Sequence, residues 1–305
     1  MEKKYSLTVV SFGEVLWDLF PTHKKIGGAP LNVALRMNSL GVDSTIISRV
    51  GNDEDGDEII SFINNQNVSS DAIQVGEDYK TGVVNVMINE KGNASYDILY
   101  PSSWDKIVLT NSMIDKVSKS DAFIFGSLIC RDEVSRSTLY SLLSKAKYKV
   151  LDINLRAPYY TTEVLIELMT NADFIKLNDE ELHEISQKLE SPYNSFEQNI
   201  KFIAEKTKTK HVCVTKGAFG AVLYYNNKFY YNSGYFIKVV DTVGAGDSFL
   251  ASLIVKLLRG KSPQKALNYA CAIGALVAGQ EGANPQISEK VIRDYMKVKK
   301  KYKNI

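Results

Sequence analysis

The chain has 305 residues, of which 45% are hydrophobic and 24% charged, and a formal net charge of +2. That length can bury one large α/β domain or two smaller ones, and the balanced charge gives no electrostatic reason for a nucleic-acid or membrane partner. No apolar run is long enough to cross a bilayer, and the three cysteines (Cys130, Cys213, Cys271) stand singly, with neither metal-ligand spacing nor the even count of a disulfide framework.

The N-terminal apolar stretch is interrupted by Glu14 and Asp18 and lacks a cleavage site, so it reads as a first strand rather than a signal peptide, with a reducing cytoplasm as the expected location. Apolar runs predict strands over 7–13, 44–50, 121–126, 149–154, 173–177, 211–215, 220–225 and 229–232. Amphipathic spacing predicts helices over 30–40, 54–66, 132–147, 161–171, 179–189, 196–206, 246–259, 263–279 and 288–300. This alternation predicts a mostly parallel central sheet with helices on both faces, in one domain spanning 1–305, with ligands beyond the carboxyl ends of the strands. Lys297 to Lys303 reads as a solvated, basic helix end.

One region breaks the pattern. Gly82–Ile88 and Ala94–Tyr100 alternate in polarity around the turn residues 89–93 and read as a β-hairpin. With Val15–Phe20 and a strand near Ala72–Val75 it is expected to form a small separate sheet, built from segments at about 14–21 and 72–104. Such a sheet has one face without a core beneath it. It can cover an active site or pair with a second copy in a homodimer.

The most informative segment is Val239-Val240-Asp241-Thr242-Val243-Gly244-Ala245-Gly246-Asp247-Ser248-Phe249. Its apolar start reads as a strand, and Phe249, Leu250, Leu253, Ile254, Leu257 and Leu258 have helical spacing. Gly244-Ala245-Gly246 therefore falls where a helix begins. There, backbone N–H groups lack intrahelical partners and the dipole is positive, which suits an anion such as phosphate. Asp247 follows on the first turn. A carboxylate beside an anion site makes sense as a base that takes a proton from an attacking hydroxyl, or it simply caps the helix. A second segment, Gly27-Gly28-Ala29-Pro30-Leu31-Asn32, also opens a helix, which Gly41 ends. Asn32 offers a donor and an acceptor to sugar hydroxyls, or it too is a cap.

Together the two segments resemble the signatures of the ribokinase-like (pfkB) family of sugar kinases, in the expected order and over roughly residues 6–295. Gly-Gly-Ala-Pro and Gly13-Glu14-Val15-Leu16-Trp17-Asp18-Leu19-Phe20-Pro21 look most like fructokinases. The resemblance implies an ATP-dependent kinase of D-fructose that works with Mg²⁺ on a ribokinase-like fold with a β-sheet lid over the sugar. It implies Asp247 as the base, Gly244, Ala245 and Gly246 as the anion hole, and Asp18, Gly28, Asn32 and Arg156 as sugar contacts. Arg156, in Asp152-Ile153-Asn154-Leu155-Arg156, is alternatively a structural ion pair. Asn178 and Glu181, in Asn178-Asp179-Glu180-Glu181, match the family's element that organises Mg²⁺ and the nucleotide phosphate through water, or Asn178 is a plain N-cap. Thr215, Gly217 and Gly220 match its nucleotide loop, and Ala272 its adenine pocket. Part of the family also binds a monovalent cation such as K⁺, for which Asp241, the Val243 carbonyl and Gly282 correspond.

The chain departs from the pattern in two places. Pro158-Tyr159-Tyr160 stands where many fructokinases have Trp, and Gln286 where potassium-dependent ribokinases often have Ser. Kinases of another sugar or sugar acid (2-keto-3-deoxygluconate, ribose) and a silent sugar or nucleotide sensor stand as alternatives. The chain holds no P-loop, and Phe249 occupies the third glycine position of a dinucleotide turn. His23, His183 and His211 form no metal pattern.

Overall fold

The computed structural model describes residues 6–88 and 94–297. Among the described residues, thirteen strands and ten α-helices follow one another in chain order. They are β1 Thr8–Phe12, β2 Leu16–Leu19, β3 Lys24–Gly27, α1 Ala29–Ser39, β4 Asp43–Gly51, α2 Glu54–Asn65, β5 Ile73–Gly76, β6 Gly82–Ile88, β7 Ala94–Ile98, α3 Asn111–Lys119, β8 Ala122–Gly126, α4 Glu133–Leu143 and β9 Lys149–Asp152. Then come α5 Thr162–Thr170, β10 Phe174–Asn178, α6 Asp179–Lys188, α7 Phe196–Thr207, β11 His211–Thr215, β12 Ala221–Tyr225, β13 Lys228–Asn232, α8 Ala245–Leu258, α9 Pro263–Ala278 and α10 Glu289–Lys297.

Nine strands form one sheet in the order β13-β12-β11-β10-β9-β8-β1-β4-β5. All neighbours from β11 to β5 run parallel, and β12 and β13 close that edge antiparallel. Strand alternation sorts the core into two layers. Phe12, Phe123, Phe125, Leu151, Ile175 and Leu177 face one side and pack with α3 to α7. Val9, Ile124, Val150, Phe174 and Cys213 face the other, where α1, α8 and α9 lie. The α/β architecture with helices on both faces thus agrees with the sequence reading. Among the described residues no helix is long and apolar enough to cross a membrane.

The second sheet has the order β3-β2-β6-β7. Its membership corrects one expectation. The strand near Ala72–Val75 is β5, which pairs in parallel with β4 at the edge of the large sheet. The small sheet instead recruits β3, in the segment between Phe20 and the first glycines, as an antiparallel neighbour of β2. Within 72–104 only β6 and β7 belong to the small sheet, and their connecting turn lies outside the described residues. The part of the C-terminal basic tail beyond Lys297 also lies outside them.

Two other readings change. Val239-Val240 is no strand. Both valines are exposed, and the Val240 N–H donates to the Ala278 carbonyl at the end of α9 (2.8 Å). After β13, at the sheet's far edge, the chain must cross back to α8 and finds no strand to join. α3 went unread because it buries only Met113 and Val117, although Thr110 caps it through the Met113 N–H.

A buried cation fastens the small sheet to the large one. Arg131, after β8, pairs with Asp105, and both side chains are almost wholly buried (1% and 0% exposed). Its guanidinium stacks on Trp104 with the carbon 4.0 Å from the ring centre, and donates to the Leu99 carbonyl beyond β7 (2.7 Å). Removing one partner strands a buried charge. Asp105→Ala is therefore expected to lower unfolding stability by about 3–5 kcal/mol, read as a drop in the urea midpoint. A midpoint within error of the parent protein would show that Arg131 finds another partner.

Candidate active site

The strands end on one rim, and the candidate residues gather there. Gly244 takes a left-handed conformation (φ 73°) at the head of α8 and packs against Ala283, leaving no room for a Cβ. Asp247 then stands on the first turn. Its Oδ2 accepts from Asn32 Nδ2 at 2.8 Å. Asn32 lies on the first turn of α1, just after Gly28, whose φ of 114° and contact with the Glu14 carbonyl only glycine tolerates. So two helix starts, 215 residues apart, meet through one amide and one carboxylate. Of Gly244, Ala245 and Gly246, expected to form the anion hole, Gly244 is the N-cap of α8 and the Ala245 N–H closes a turn onto the Thr242 carbonyl (3.2 Å).

Beneath this turn lies a pair the sequence reading did not single out. Lys176 in β10 stands directly opposite Asp152 in β9, and its Nζ lies 2.9 and 3.1 Å from the two carboxylate oxygens. Both side chains point to the face that carries α8. A Cβ placed on Gly246 would sit 3.5 Å from Lys176 Nζ, so the cation underlies the helix start. Burial works against its charge, but Asp152, Glu181 and Asp247 outweigh it and hold the Lys176 pKa above the ordinary lysine value. The signal for it was a lone Lys on alternating parity in the apolar strand Phe174–Asn178.

Carboxylates crowd the rim. Burial, helped by Asp152, raises Asp247 to about 6, against the Asn32 hydrogen bond and the charges of Lys176 and Arg156. Glu14, just beyond β1, is buried, and desolvation raises it to about 7. It was read only as an interruption of an apolar stretch, yet it shares a narrow cleft with Asp152 and Asn154. Asp18 sits on β2, half-buried, with its carboxylate against Gly27. Burial raises it to about 6, opposed by Arg156 and Lys25. Arg156 is exposed on the loop after β9 and forms no ion pair among the described residues, so its charge is open to a ligand.

Asn178 and Glu181 form a capping box at the start of α6: the Glu181 N–H donates to Asn178 Oδ1, and the Asn178 N–H to Glu181 Oε2, each at 2.8 Å. Glu181 Oε1 also accepts from the Leu155 N–H (2.8 Å), which fixes the loop that carries Arg156. Thr215 is the register partner of Asn178 at the ends of β11 and β10. Gly217 (φ 51°) faces open space and Gly220 (φ 81°) abuts the Asn232 carbonyl, with Phe219 between them 76% exposed. Ala272 is not at the surface of this region: it is wholly buried and packs with Ile273, Val277 and Ile292. On the same helix it is Gly274 that comes close to Ala245 and Phe249. Asp241 accepts from the Val243 N–H (3.0 Å) and the Gly282 N–H (3.1 Å), so these residues form one loop junction, and Lys25 Nζ lies 4.0 Å from the same carboxylate. Among the described residues no three His, Cys, Asp or Glu side chains are grouped to hold a metal directly.

The comparisons with known proteins identify the family. The model of the pfkB family carbohydrate kinases matches residues 4–290. The chain belongs to the pfkB family of carbohydrate kinases. It is thus a phosphotransferase that acts on a sugar hydroxyl. It is similar to a probable chloroplastic fructokinase of Arabidopsis thaliana, with 30% identity over 92% of this chain and 80% of that one. A crystal structure of an uncharacterized sugar kinase from Pyrococcus horikoshii in complex with ATP superposes with a TM-score of 0.79 at 28% identity, over 90% of this chain and 94% of that one. The fold is also that of a Vibrio cholerae fructokinase crystallised with fructose, ADP and potassium (TM-score 0.82, 23% identity, 95% and 98% coverage).

The Lys176 charge helps to hold the Asp247 pKa down. Lys176→Met is expected to move the Asp247 carboxyl titration, followed by ¹³C NMR, upward from about 6 by about one unit or more. An unchanged midpoint would show that Asp152 alone consumes the lysine's charge.

Proposed function

We propose that the protein transfers the γ-phosphoryl group of ATP to D-fructose, giving fructose 6-phosphate, with Asp247 as the base. The observation that carries this reading is the convergence of Asp247 and Asn32 at paired helix starts, with Asp18 and Arg156 on the lid strand and loop nearby. The preference for fructose rests on curated relatives named fructokinases at 26–30% identity.

In this reading the sugar lies between the small sheet and the rim. Asp18 accepts from two hydroxyls, Asn32 and the Gly28 backbone meet others, and Arg156 binds the sugar or the incoming phosphate. Asp247 takes the proton of the attacking hydroxyl, while the N–H groups of Gly244 and Gly246, with Lys176 beneath them, meet the charge that spreads over the transferred oxygens. Asn178, Thr215, Gly217 and Gly220 receive the nucleotide. Mg²⁺ supplies charge neutralisation at the phosphates. Glu181 suits it through water, because each carboxylate oxygen already accepts one backbone N–H and keeps one acceptor position for a hydrating water. Asp241, the Val243 carbonyl and Gly282 are the residues for a monovalent cation. Lys25 beside Asp241 already places a positive charge there and argues for weak activation by K⁺. Tyr159 and Tyr160, which stand where many fructokinases carry Trp, hydrogen-bond to the Ile98 carbonyl and Glu184. A homodimer built through the lid is part of this reading, with Tyr96 exposed on one face of the small sheet, and small-angle scattering should then give twice the monomer mass.

The test is ADP release with Mg²⁺-ATP across fructose, ribose, 2-keto-3-deoxygluconate, tagatose and nucleosides. Fructose is expected to give the highest kcat/KM, and another preferred sugar would correct the substrate while keeping the mechanism. Asp247→Asn should fold normally and lose about 100-fold to 10,000-fold in kcat. Because a base works deprotonated, kcat/KM of the parent enzyme should fall as the pH drops through about 6. A flat profile from pH 5 to 8, a span of about three units around that value, would remove Asp247 from the role.

A further inference from the structure

Asn32 is itself oriented by a residue that no sequence pattern marks. An amide side chain has two ends of nearly the same shape, but only the nitrogen donates. Which end faces Asp247 decides whether that group is met as a carboxylate or as an acid. Asn32 Oδ1 accepts from Asn284 Nδ2 at 2.9 Å, so the oxygen end is engaged and Nδ2 faces Asp247 Oδ2. Asn284 is gripped on both sides. Ala283 before it packs under Gly244, and the Pro285 carbonyl after it accepts from Arg36 Nη2 (3.1 Å). Arg36 lies one helical turn beyond Asn32, is buried, and donates through Nε to Ser248 Oγ (3.0 Å), the residue next to Asp247. One face of α1 thus holds the base, its neighbour and the 283–285 segment in a single arrangement. The other charged groups around Asp247 are Asp152 from β9, Lys176 from β10, Arg156 from the following loop and Glu14 beyond β1, and they act on it through charge. Asn32 is the side chain that donates a hydrogen bond to it.

We propose that Asn284 is a positioning residue for phosphoryl transfer: by engaging the oxygen of Asn32 it keeps the Asn32 N–H on Asp247, so that Asp247 is presented as a carboxylate. This rests on the reading of Asp247 as the base. The inference separates two substitutions at this position. Asn284→Ala leaves the Asn32 amide free to turn. In Asn284→Asp the new carboxylate can only accept, so it draws Asn32 Nδ2 to itself and turns Oδ1 toward Asp247, which can then pair only when protonated.

The experiment measures kcat, KM and the pH profile of Asn284→Ala, Asn284→Asp and Asn284→Gln with Mg²⁺-ATP and the sugar turned over in the panel above, beside Asp247→Asn. Carboxyl ¹³C titration of Asp247 in the free enzyme gives a readout that needs no substrate. The expected kcat losses at neutral pH are about 3-fold to 10-fold for Asn284→Ala and about 100-fold or more for Asn284→Asp, with KM for ATP within about twofold. The Asp247 titration in Asn284→Asp should move up by about one unit or more, and Asn284→Gln, which keeps a donor, should recover most of the rate. Equal losses in the Ala and Asp variants with an unmoved titration would reduce Asn284 to packing and overturn the proposal. If Asn284→Asp does not fold, the Ala and Gln pair and their titrations decide. An inactive Asp247→Asn beside Asn284 variants of parental rate and titration would overturn this inference alone, whereas an active Asp247→Asn would overturn the base and the inference together.

Discussion

The rim of the sheet holds more negative charge than it can neutralise, and the rest of the site follows from that. Glu14, Asp18, Asp152, Glu181 and Asp247 converge there against Lys176 and Arg156. Lys176 is consumed largely by Asp152, at 2.9 Å, and it is buried. Burial, which the two cations offset only in part, holds Glu14, Asp18 and Asp247 above the ordinary carboxylate range, with mutual repulsion adding to it at Glu14 and Asp247. The imbalance also sets terms for the nucleotide. A polyphosphate entering a field of carboxylates is repelled unless a counter-charge accompanies it.

The large sheet makes this possible through strand parity. In β9 and β10 the side chains on one face are Val150, Asp152, Phe174 and Lys176, while Leu151, Ile175 and Leu177 serve the opposite core. The ion pair therefore sits at the carboxyl ends of its strands on the side that carries α8, below the turn that opens that helix. Cation, helix dipole and unpaired N–H groups coincide, and each is more effective for being partly removed from water. Glu181 extends the same economy: one carboxylate caps α6 and fixes the neighbouring loop.

The small sheet closes the site from a different direction. Its β2 carries Asp18 toward the rim and its β3 brings Lys25 near Asp241. Arg131 holds its base through Asp105, Trp104 and the Leu99 carbonyl, and Tyr159 ties the Arg156 loop to the end of β7. The small sheet and the Arg156 loop thus share one anchorage.

Local sequence determined the helix and strand periods, the two glycine-opened helix starts with Asn32 and Asp247 upon them, and the Asn178–Glu181 cap, because each depends on neighbours within a turn or a strand. Tertiary structure decided what pairing across long separations controls. It chose β3 over β5 for the small sheet, since any alternating edge strand satisfies the local pattern. It left Val239-Val240 unpaired, since no sheet edge lies within reach. It buried Ala272, because a helix period marks a face without saying what covers it. It also set Lys176 opposite Asp152, drew Glu14 into the site and seated Asn284 on Asn32. Those contacts join residues 24 to 252 positions apart, and register and packing, which set them, are not written in any single segment.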